Sequence, residues 1–157
     1  NSVVSSINGC CLTAHAALLW TAPSRQNRVC IMRRIIIADE NRDLRTVLAF
    51  KFQHQQDTVI NADNTKDAFY ATLEEPTDRT AIIIGDFGPT TTPALTLVTD
   101  IRSVFDPAEL PIVVVSSHAF PENRAEALEA GADIFIPRPF HRLDDVVEAV
   151  NSLPKAA

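Results

Sequence analysis

Residues 35–40 read IIIADE, a run of β-branched residues that passes through Ala and ends in two carboxylates. β-Branched side chains favour extended backbone, and a run without polar alternation is typical of a strand covered on both faces of a parallel sheet. Carboxylates that follow such a strand lie at its carboxyl end. The segment therefore predicts a buried strand that carries Asp39 and Glu40 to one edge of a sheet.

The chain repeats this apolar pattern four more times. The later runs are short and rich in Ile or Val, and they lie at residues 58–60, 81–84, 112–115 and 134–136. Stretches with helical spacing separate the runs. This regular alternation predicts an α/β fold of the (βα)5 type, in which a doubly wound, five-stranded parallel sheet lies between two layers of helices.

Apolar stripes at spacings of three and four residues define most of the predicted helices. The four stripes are Leu44, Val47, Leu48 and Phe52; Ala68, Phe69 and Leu73; Leu95, Val98, Ile101 and Phe105; and Leu143, Val146, Val147 and Val150. The Ala-rich stretch from Glu122 to Ala130 predicts the remaining helix, with Gly131 as its C-terminal cap. Before the third stripe, Thr92 is the predicted N-cap and Pro93 the first helical residue.

Polar side chains follow several of the predicted strands. The carboxyl ends of parallel strands meet at one edge of a doubly wound sheet, where such folds bind their ligands. The side chains placed there are Asp39, Glu40, Asp86, Ser116, Ser117 and Arg138. Three carboxylates suit a hard divalent cation such as Mg²⁺. With a hydroxyl group and a fixed cation, they form the set that transfer of a phosphoryl group to a carboxylate requires.

Simpler roles are open to the same residues. The two carboxylates after the first strand can cap the first helix, because acidic groups favour helix N-termini. Ser116 and Ser117 can be turn residues. We expect His118 and His141 to be exposed loop residues rather than metal ligands, because no second His or Cys stands at metal-ligand spacing.

Composition excludes several classes of protein. The chain has 157 residues, 46% of them hydrophobic, and a formal net charge of −6. Its length is that of one domain, and no apolar run approaches the roughly 20 residues that span a bilayer. It lacks the clusters of Lys and Arg that follow a nucleic-acid backbone. Its four Gly form no nucleotide-binding motif, which argues against a nucleotide or flavin enzyme on this fold.

Residues 1–31 differ from the rest of the chain. They hold all three Cys and the only Trp, and they include no acidic residue. The only Met is Met32, directly before the first patterned segment, so we interpret residues 1–31 as upstream sequence outside the domain and 32–157 as the domain. A targeting segment is the alternative, although residues 12–20 lack preceding basic residues and contain His15. The remaining 126 residues have no Cys and a formal charge of −8, which favours a cytoplasmic location.

Four segments in this order resemble the receiver domain of two-component response regulators. They are IIIADE at 35–40, ADN at 62–64, PIVVVSS at 111–117 and GADIFIPRPF at 131–140, and the resemblance covers residues 33–153. The resemblance implies a flavodoxin-like, CheY-like three-layer sandwich. It also implies a signalling domain rather than an enzyme, which accepts a phosphoryl group from a sensor histidine kinase or a histidine phosphotransfer protein.

The resemblance assigns roles at single positions. Asp86 is the phosphoacceptor, and Mg²⁺ is held by Asp39, Glu40, Asp86 and the backbone carbonyl of Gly88. Ser116 and Arg138 contact the phosphoryl group, and Arg138 stands where the family has Lys. The remaining assignments are Phe135, the aromatic that changes rotamer on activation, and Pro139, which commonly follows a cis peptide bond. The downstream protein docks on the face formed by helix 4, strand 5 and helix 5. The given sequence shows no output domain after the fifth helix, so we expect a stand-alone receiver that acts by docking, with a receiver cut from a longer protein as the alternative.

The register of the phosphoacceptor leaves two alternatives. The family places Pro four residues after the acceptor, and counting back from Pro89 reaches Gly85. Counting from the third apolar stripe reaches Asp86, which we prefer. Glu40, Arg138 and this register also allow a pseudo-receiver, a module that binds proteins through the same face without phosphorylation.

Overall fold

The computed structural model describes residues 32–74 and 80–153, in which strands and helices alternate. The strands are β1 (Arg34–Ala38), β2 (Thr58–Ala62), β3 (Thr80–Ile84), β4 (Ile112–Ser116) and β5 (Ile134–Pro137). The helices are α1 (Arg42–His54), α2 (Thr65–Leu73), α3 (Thr92–Arg102), α4 (Pro121–Ala130) and α5 (Asp144–Ser152). The interpretation of residues 1–31 lies outside the described residues.

The five strands form one parallel sheet in the order β2-β1-β3-β4-β5. Ile36 of β1 pairs with Ile60 on one side and with Ile82 on the other, so β1 and β3 lie in the middle of the sheet. The strand order changes direction between β1 and β3, which is where doubly wound sheets open a crevice at their carboxyl edge. The predicted (βα)5 fold is confirmed.

Alternate residues of each central strand face opposite layers of helices. One layer, formed by α1 and α5, covers Ile35, Ile37, Ile83, Val113 and Val115. The other layer, formed by α2, α3 and α4, covers Ile36, Ile82, Ile84, Ile112 and Val114. The three central strands are therefore buried on both faces, as the apolar runs predict, and their polar side chains lie at the strand ends. The edge strands β2 and β5 are partly exposed, and Asn61 of β2 is exposed.

The apolar stripes predicted for the helices face the core, except for some residues at the edges or ends of the stripes. Leu48 and Phe52 of α1 are almost fully buried, but Val47 is 41% exposed because it lies about 100° around the helix from Leu48. Leu73, in the last turn of α2, is 43% exposed. Among residues 32–74 and 80–153, no helix is long and apolar enough to cross a membrane.

Local side-chain chemistry sets the helix ends. The side chain of Asn41 caps α1 by accepting hydrogen bonds from the backbone N–H groups of Asp43 and Leu44. This cap differs from the acidic caps considered for α1. The predicted cap of α3 is wrong by one residue, because Thr92 is already helical and Thr91 precedes it without a side-chain hydrogen bond.

Gly131 ends α4 with φ +116°, as predicted for a C-terminal cap. A Cβ at this position would lie 2.6 Å from Cγ of Arg102. Arg102 is fixed there because its guanidinium donates to the carbonyls of Gly131 and Leu110 and to Asp133. Gly88 also has a positive φ, +83°, but a Cβ there would meet nothing within 4 Å.

Gly131→Ala should therefore lower the free energy of unfolding more than Gly88→Ala. Both substitutions add left-handed backbone strain of about 1 kcal/mol, and only the first adds a clash with a fixed side chain. Urea unfolding of both variants measures the difference. Equal losses of stability would show that the Arg102 side chain does not hold its place against α4.

Candidate functional site

The parallel sheet brings four polar side chains to its carboxyl edge. Asp39 directly follows β1, Asp86 lies two residues after β3, Ser116 ends β4, and Arg138 directly follows β5. The backbone N–H of Arg138 donates to the carbonyl of Ser116 at 2.8 Å, which fixes these two residues side by side. All four come from different strands, so their convergence depends on the strand order.

The carboxylate of Asp86 is the most heavily hydrogen-bonded group of the site. Its Oδ1 accepts from the Ser116 hydroxyl at 2.5 Å. Its Oδ2 accepts from the backbone N–H of Ser117 at 2.8 Å, from the Ser117 hydroxyl at 2.7 Å and from Nη2 of Arg138 at 2.5 Å. The side chain is only 8% exposed. Four donors thus surround one nearly buried carboxylate.

These donors keep Asp86 ionised. Burial alone would raise the pKa of this carboxyl, but the hydrogen bonds from Ser116, Ser117 and Arg138 outweigh burial and lower its pKa to about 2. Hydrogen bonds to the charged form of a carboxylate favour that form. Asp86 therefore carries a full negative charge at neutral pH.

Asp39 has a different environment, although it lies beside the same guanidinium. Its Oδ1 accepts from the backbone N–H of Asn41 at 2.7 Å. Its Oδ2 is buried without a hydrogen bond and lies 3.4 Å from Nη1 of Arg138. Burial raises the pKa of Asp39, while the Asn41 N–H and Arg138 act in the opposite direction. Asp39 thus presents one carboxylate oxygen with no hydrogen-bond donor.

Glu40 links the loops that follow β1 and β3. Its Oε2 accepts from the backbone N–H of Gly88 at 2.8 Å, and its own N–H donates to the carbonyl of Asp86 at 3.2 Å. Gly88 therefore contacts the acidic pair through its N–H group. Among residues 32–74 and 80–153, no group of three or more His, Cys, Asp or Glu side chains converges closely enough to hold a metal ion.

Gly85 is the one residue of the β3 end without a side chain. A Cβ at this position would lie 1.7 Å from Oδ2 of Asp39. The Asp39 carboxylate thus fills the space in which a side chain of residue 85 would begin. Of the two registers considered for the acceptor, the one at Asp86 places a carboxylate against Ser116 and Arg138.

Two further positions from the sequence lie on and after β5. Phe135 is 8% exposed and belongs to the core under α2, α3 and α4. The peptide bond between Arg138 and Pro139 is cis. Phe135 is therefore packed inward in this structure, one strand away from Ser116.

Sequence reasoning missed the parts played by Ser117 and His118. Ser117 donates twice to Asp86, through its backbone and its hydroxyl. His118 lies in a loop, as expected, but its side chain is only 32% exposed and its Nδ1 is buried 3.7 Å from Oδ1 of Asp86. The loop turns back because the His118 N–H donates to the Ser116 hydroxyl at 3.0 Å. Only their position directly after Ser116 signals either role.

The low pKa of Asp86 predicts an acid-labile contribution to stability. Its ionised carboxylate stabilises the folded state above the ordinary pKa of 3.8, and this contribution is lost as pH falls towards about 2. The free energy of unfolding should therefore fall more steeply between about pH 4 and pH 2 in the wild type than in Asp86→Asn. Asp63→Asn, at an exposed carboxylate after β2, is the matched control. Parallel pH profiles for wild type and Asp86→Asn in urea unfolding would contradict this prediction.

Solved structures share the fold. A response regulator from Thermotoga maritima superposes with a TM-score of 0.67 at 24% identity, covering 78% of this chain and 97% of that one. The receiver domain of the Francisella response regulator 1452 gives 0.66 at 22% identity, covering 77% and 95%. A response regulator from Burkholderia pseudomallei, solved with a phosphorylated aspartic acid and a calcium ion, gives 0.65 at 18% identity, covering 76% and 67%.

Curated relatives and a family model match the sequence itself. The transcriptional regulatory protein PhoP of Escherichia coli K12 is 30% identical over 120 residues, which are 76% of this chain and 51% of PhoP. The virulence transcriptional regulatory protein PhoP of Salmonella typhimurium 14028s is 28% identical over 122 residues, 78% of this chain and 52% of that protein. The chain thus spans about half the length of these relatives. The model of the response regulator receiver domain matches residues 35–151, and the chain therefore belongs to this family of two-component signalling domains.

Proposed function

We propose that this chain accepts a phosphoryl group on Asp86 from a phosphohistidine of a sensor histidine kinase or a histidine phosphotransfer protein. Receiver domains interact with such proteins as a family. The observation that carries the proposal is the setting of Asp86, an ionised carboxylate at the carboxyl edge of the sheet with hydroxyl, amide and guanidinium donors around it. This is the chemistry that acyl phosphate formation requires.

The hydrogen bonds of Asp86 favour one of its oxygens as the nucleophile. Oδ2 accepts three hydrogen bonds, and Oδ1 accepts one, from Ser116. A carboxylate oxygen has about two lone-pair directions, so Oδ1 keeps one for attack on phosphorus. The bond from Oδ1 to phosphorus forms as the phosphorus–nitrogen bond of phosphohistidine breaks, and the imidazole leaves with the electron pair.

The donors around Asp86 also suit the transferred group. The Ser116 hydroxyl, the Ser117 N–H and the Arg138 guanidinium are positioned beside the oxygens of Asp86, where the phosphoryl oxygens would lie after transfer. Preorganised donors of this kind stabilise developing negative charge. Arg138 provides two parallel N–H groups where the family has the single ammonium of Lys, and this favours paired hydrogen bonds to phosphoryl oxygens.

The acidic residues at this edge could serve as ligands of a divalent cation, although in residues 32–74 and 80–153 they do not converge into a ready-made metal site. Receivers generally bind Mg²⁺ at their phosphorylation site, and here Asp39 offers a buried oxygen without a hydrogen-bond donor. We propose Asp39, Asp86, Glu40 and the carbonyl of Gly88 as the residues that would hold Mg²⁺. Bound Mg²⁺ supplies positive charge that offsets the negative charge of the phosphoryl oxygens.

The same residues connect the acceptor to a surface for a downstream protein. Ser116 and Ser117 begin the loop to α4, and Arg138 follows β5, so a change in their contacts with Asp86 shifts the face formed by α4, β5 and α5. Phe135 is a residue of β5, and its side chain packs in the core. We propose that the chain signals from the cytoplasm through a protein bound to this face and is not itself an enzyme.

One observation favours a second candidate, the pseudo-receiver. Every donor that a phosphoryl group would use is already paired with Asp86. A site whose donors are satisfied by its own carboxylate can hold one conformation constitutively. In that function, Asp86 stabilises a fixed docking face, and no phosphoryl group is transferred.

Intact mass after incubation with Mg²⁺ and acetyl phosphate separates the two functions. Wild type and Asp63→Asn should each gain one phosphoryl group, and Asp86→Asn should gain none because it lacks the nucleophile. Circular dichroism of each variant checks that it is folded. A gain that persists in Asp86→Asn would contradict Asp86 as the acceptor, and no gain in folded wild type would favour the pseudo-receiver.

A further inference from the structure

A groove between α2 and α3 takes no part in the acceptor site. Its volume is about 510 Å³, and it is lined by residues of these two helices alone. The apolar part of its lining consists of Phe69 on α2 and of Pro93 and Leu97 on α3. The groove is therefore also separate from the face formed by α4, β5 and α5.

This groove is open to solvent along its length. Lys66, Tyr70 and Asp100 on its walls are exposed, Tyr70 by 53%. Leu97 forms its floor and is only 2% exposed. Sites for small molecules enclose most of their ligand, which an open groove does not do. A groove of this volume and shape instead suits side chains that a partner protein carries.

Two side chains of opposite charge lie towards the two ends of the groove. Lys66 is in the first turn of α2, and Asp100 lies eight residues, or about 12 Å, after the first residue of α3. Both helices cross over between parallel strands and so run in the same direction, which separates the two charges along the groove.

Neither of these charges is paired with an opposite charge inside the domain. Among residues 32–74 and 80–153, the ion pairs do not include Lys66 or Asp100. The ammonium of Lys66 lies 5.9 Å from the centroid of the Tyr70 ring, which holds it beside the groove. One cation and one anion are thus left to pair with charges of a partner.

We propose that the groove between α2 and α3 binds an amphipathic helix of a partner protein, with an acidic side chain at Lys66, a basic side chain at Asp100 and apolar side chains between them. Two helices that lie side by side form a groove that receives the side chains of a third helix. Residues seven apart lie on one face of a helix and about 10.5 Å apart along it, which is close to the spacing of the two charges.

The apolar floor and the two charges have different parts in this binding. Burial of apolar side chains against Phe69 and Leu97 provides most of the affinity, because exposed ion pairs contribute little. The charges select the partner, since a like charge at either end is unfavourable. This docking goes beyond the proposed function, because it requires no phosphoryl group on Asp86.

Binding of three labelled helical peptides to the full chain, followed by fluorescence anisotropy, tests the selection by charge. The peptides share the same Leu residues on one face. Seven residues apart on that face they carry Glu and Lys, two Glu, or two Lys. Wild type should bind the peptide with Glu and Lys at least about fivefold more tightly than either of the others, because each of those loses one ion pair.

A charge reversal in the groove should change this preference. Lys66→Glu makes both ends of the groove acidic, so this variant should bind the peptide with two Lys most tightly. Arg124→Glu is the matched control, because it makes the same change of charge at an exposed residue of α4 outside the groove. It should keep the preference of wild type, which separates docking in the groove from general attraction of a cationic peptide to an acidic domain.

A second measurement uses wild type alone and locates the bound peptide. The NMR methyl signals of Leu97 should shift on binding, while those of Leu48, in the core under α1 and α5, should not. No binding, equal affinities of wild type for the three peptides, an unchanged preference in Lys66→Glu, or unshifted Leu97 signals would each overturn the proposal. Equal binding of a peptide interrupted by Pro, which cannot form the helix, would assign the groove to an extended segment and would also overturn it.

Discussion

The pairing of the Asp86 carboxylate with Arg138 is the interaction on which the candidate site depends. The two residues are 52 positions apart and follow different strands, β3 and β5. In the sheet, β4 lies between β3 and β5, so only one strand separates them, and Ser116 at the end of β4 lies between Asp86 and Arg138. A parallel sheet with both faces buried leaves its carboxyl edge as the place where these polar groups find partners, so the fold and the site share one physical cause.

The Arg138 guanidinium contacts both buried carboxylates of the site. The shared contact with Asp39 couples the carboxylate that follows β1 to Asp86, which follows β3, and Gly85 leaves the space that the Asp39 carboxylate occupies. Asp86 is held fully ionised by its donors, which suits a nucleophile, but those donors are also occupied by it. Phosphoryl transfer would require the contacts of Ser116, Ser117 and Arg138 with Asp86 to rearrange, whereas constitutive docking would keep them.

Features that depend on hydrophobic periodicity or on position at a strand end could be predicted from the sequence. The apolar runs give the five strands, Gly131 the end of α4, and the strand ends bring Asp86 and Arg138 together. Contacts within loops follow no sequence period, so such reasoning misses them. The second donor of Ser117, the buried Nδ1 of His118 and the hydrogen bond from Gly88 to Glu40 each depend on the path of a loop. Val47 shows the same limit on a helix, where spacing alone does not fix the width of the buried face.

The residue that carries the phosphoryl group can be located chemically. After treatment with acetyl phosphate and Mg²⁺, borohydride reduces an aspartyl phosphate to homoserine, and peptide mass spectrometry then identifies its position. We expect homoserine at residue 86 and at no other carboxylate of the chain. Homoserine at a different residue, or none in the folded chain, would contradict it.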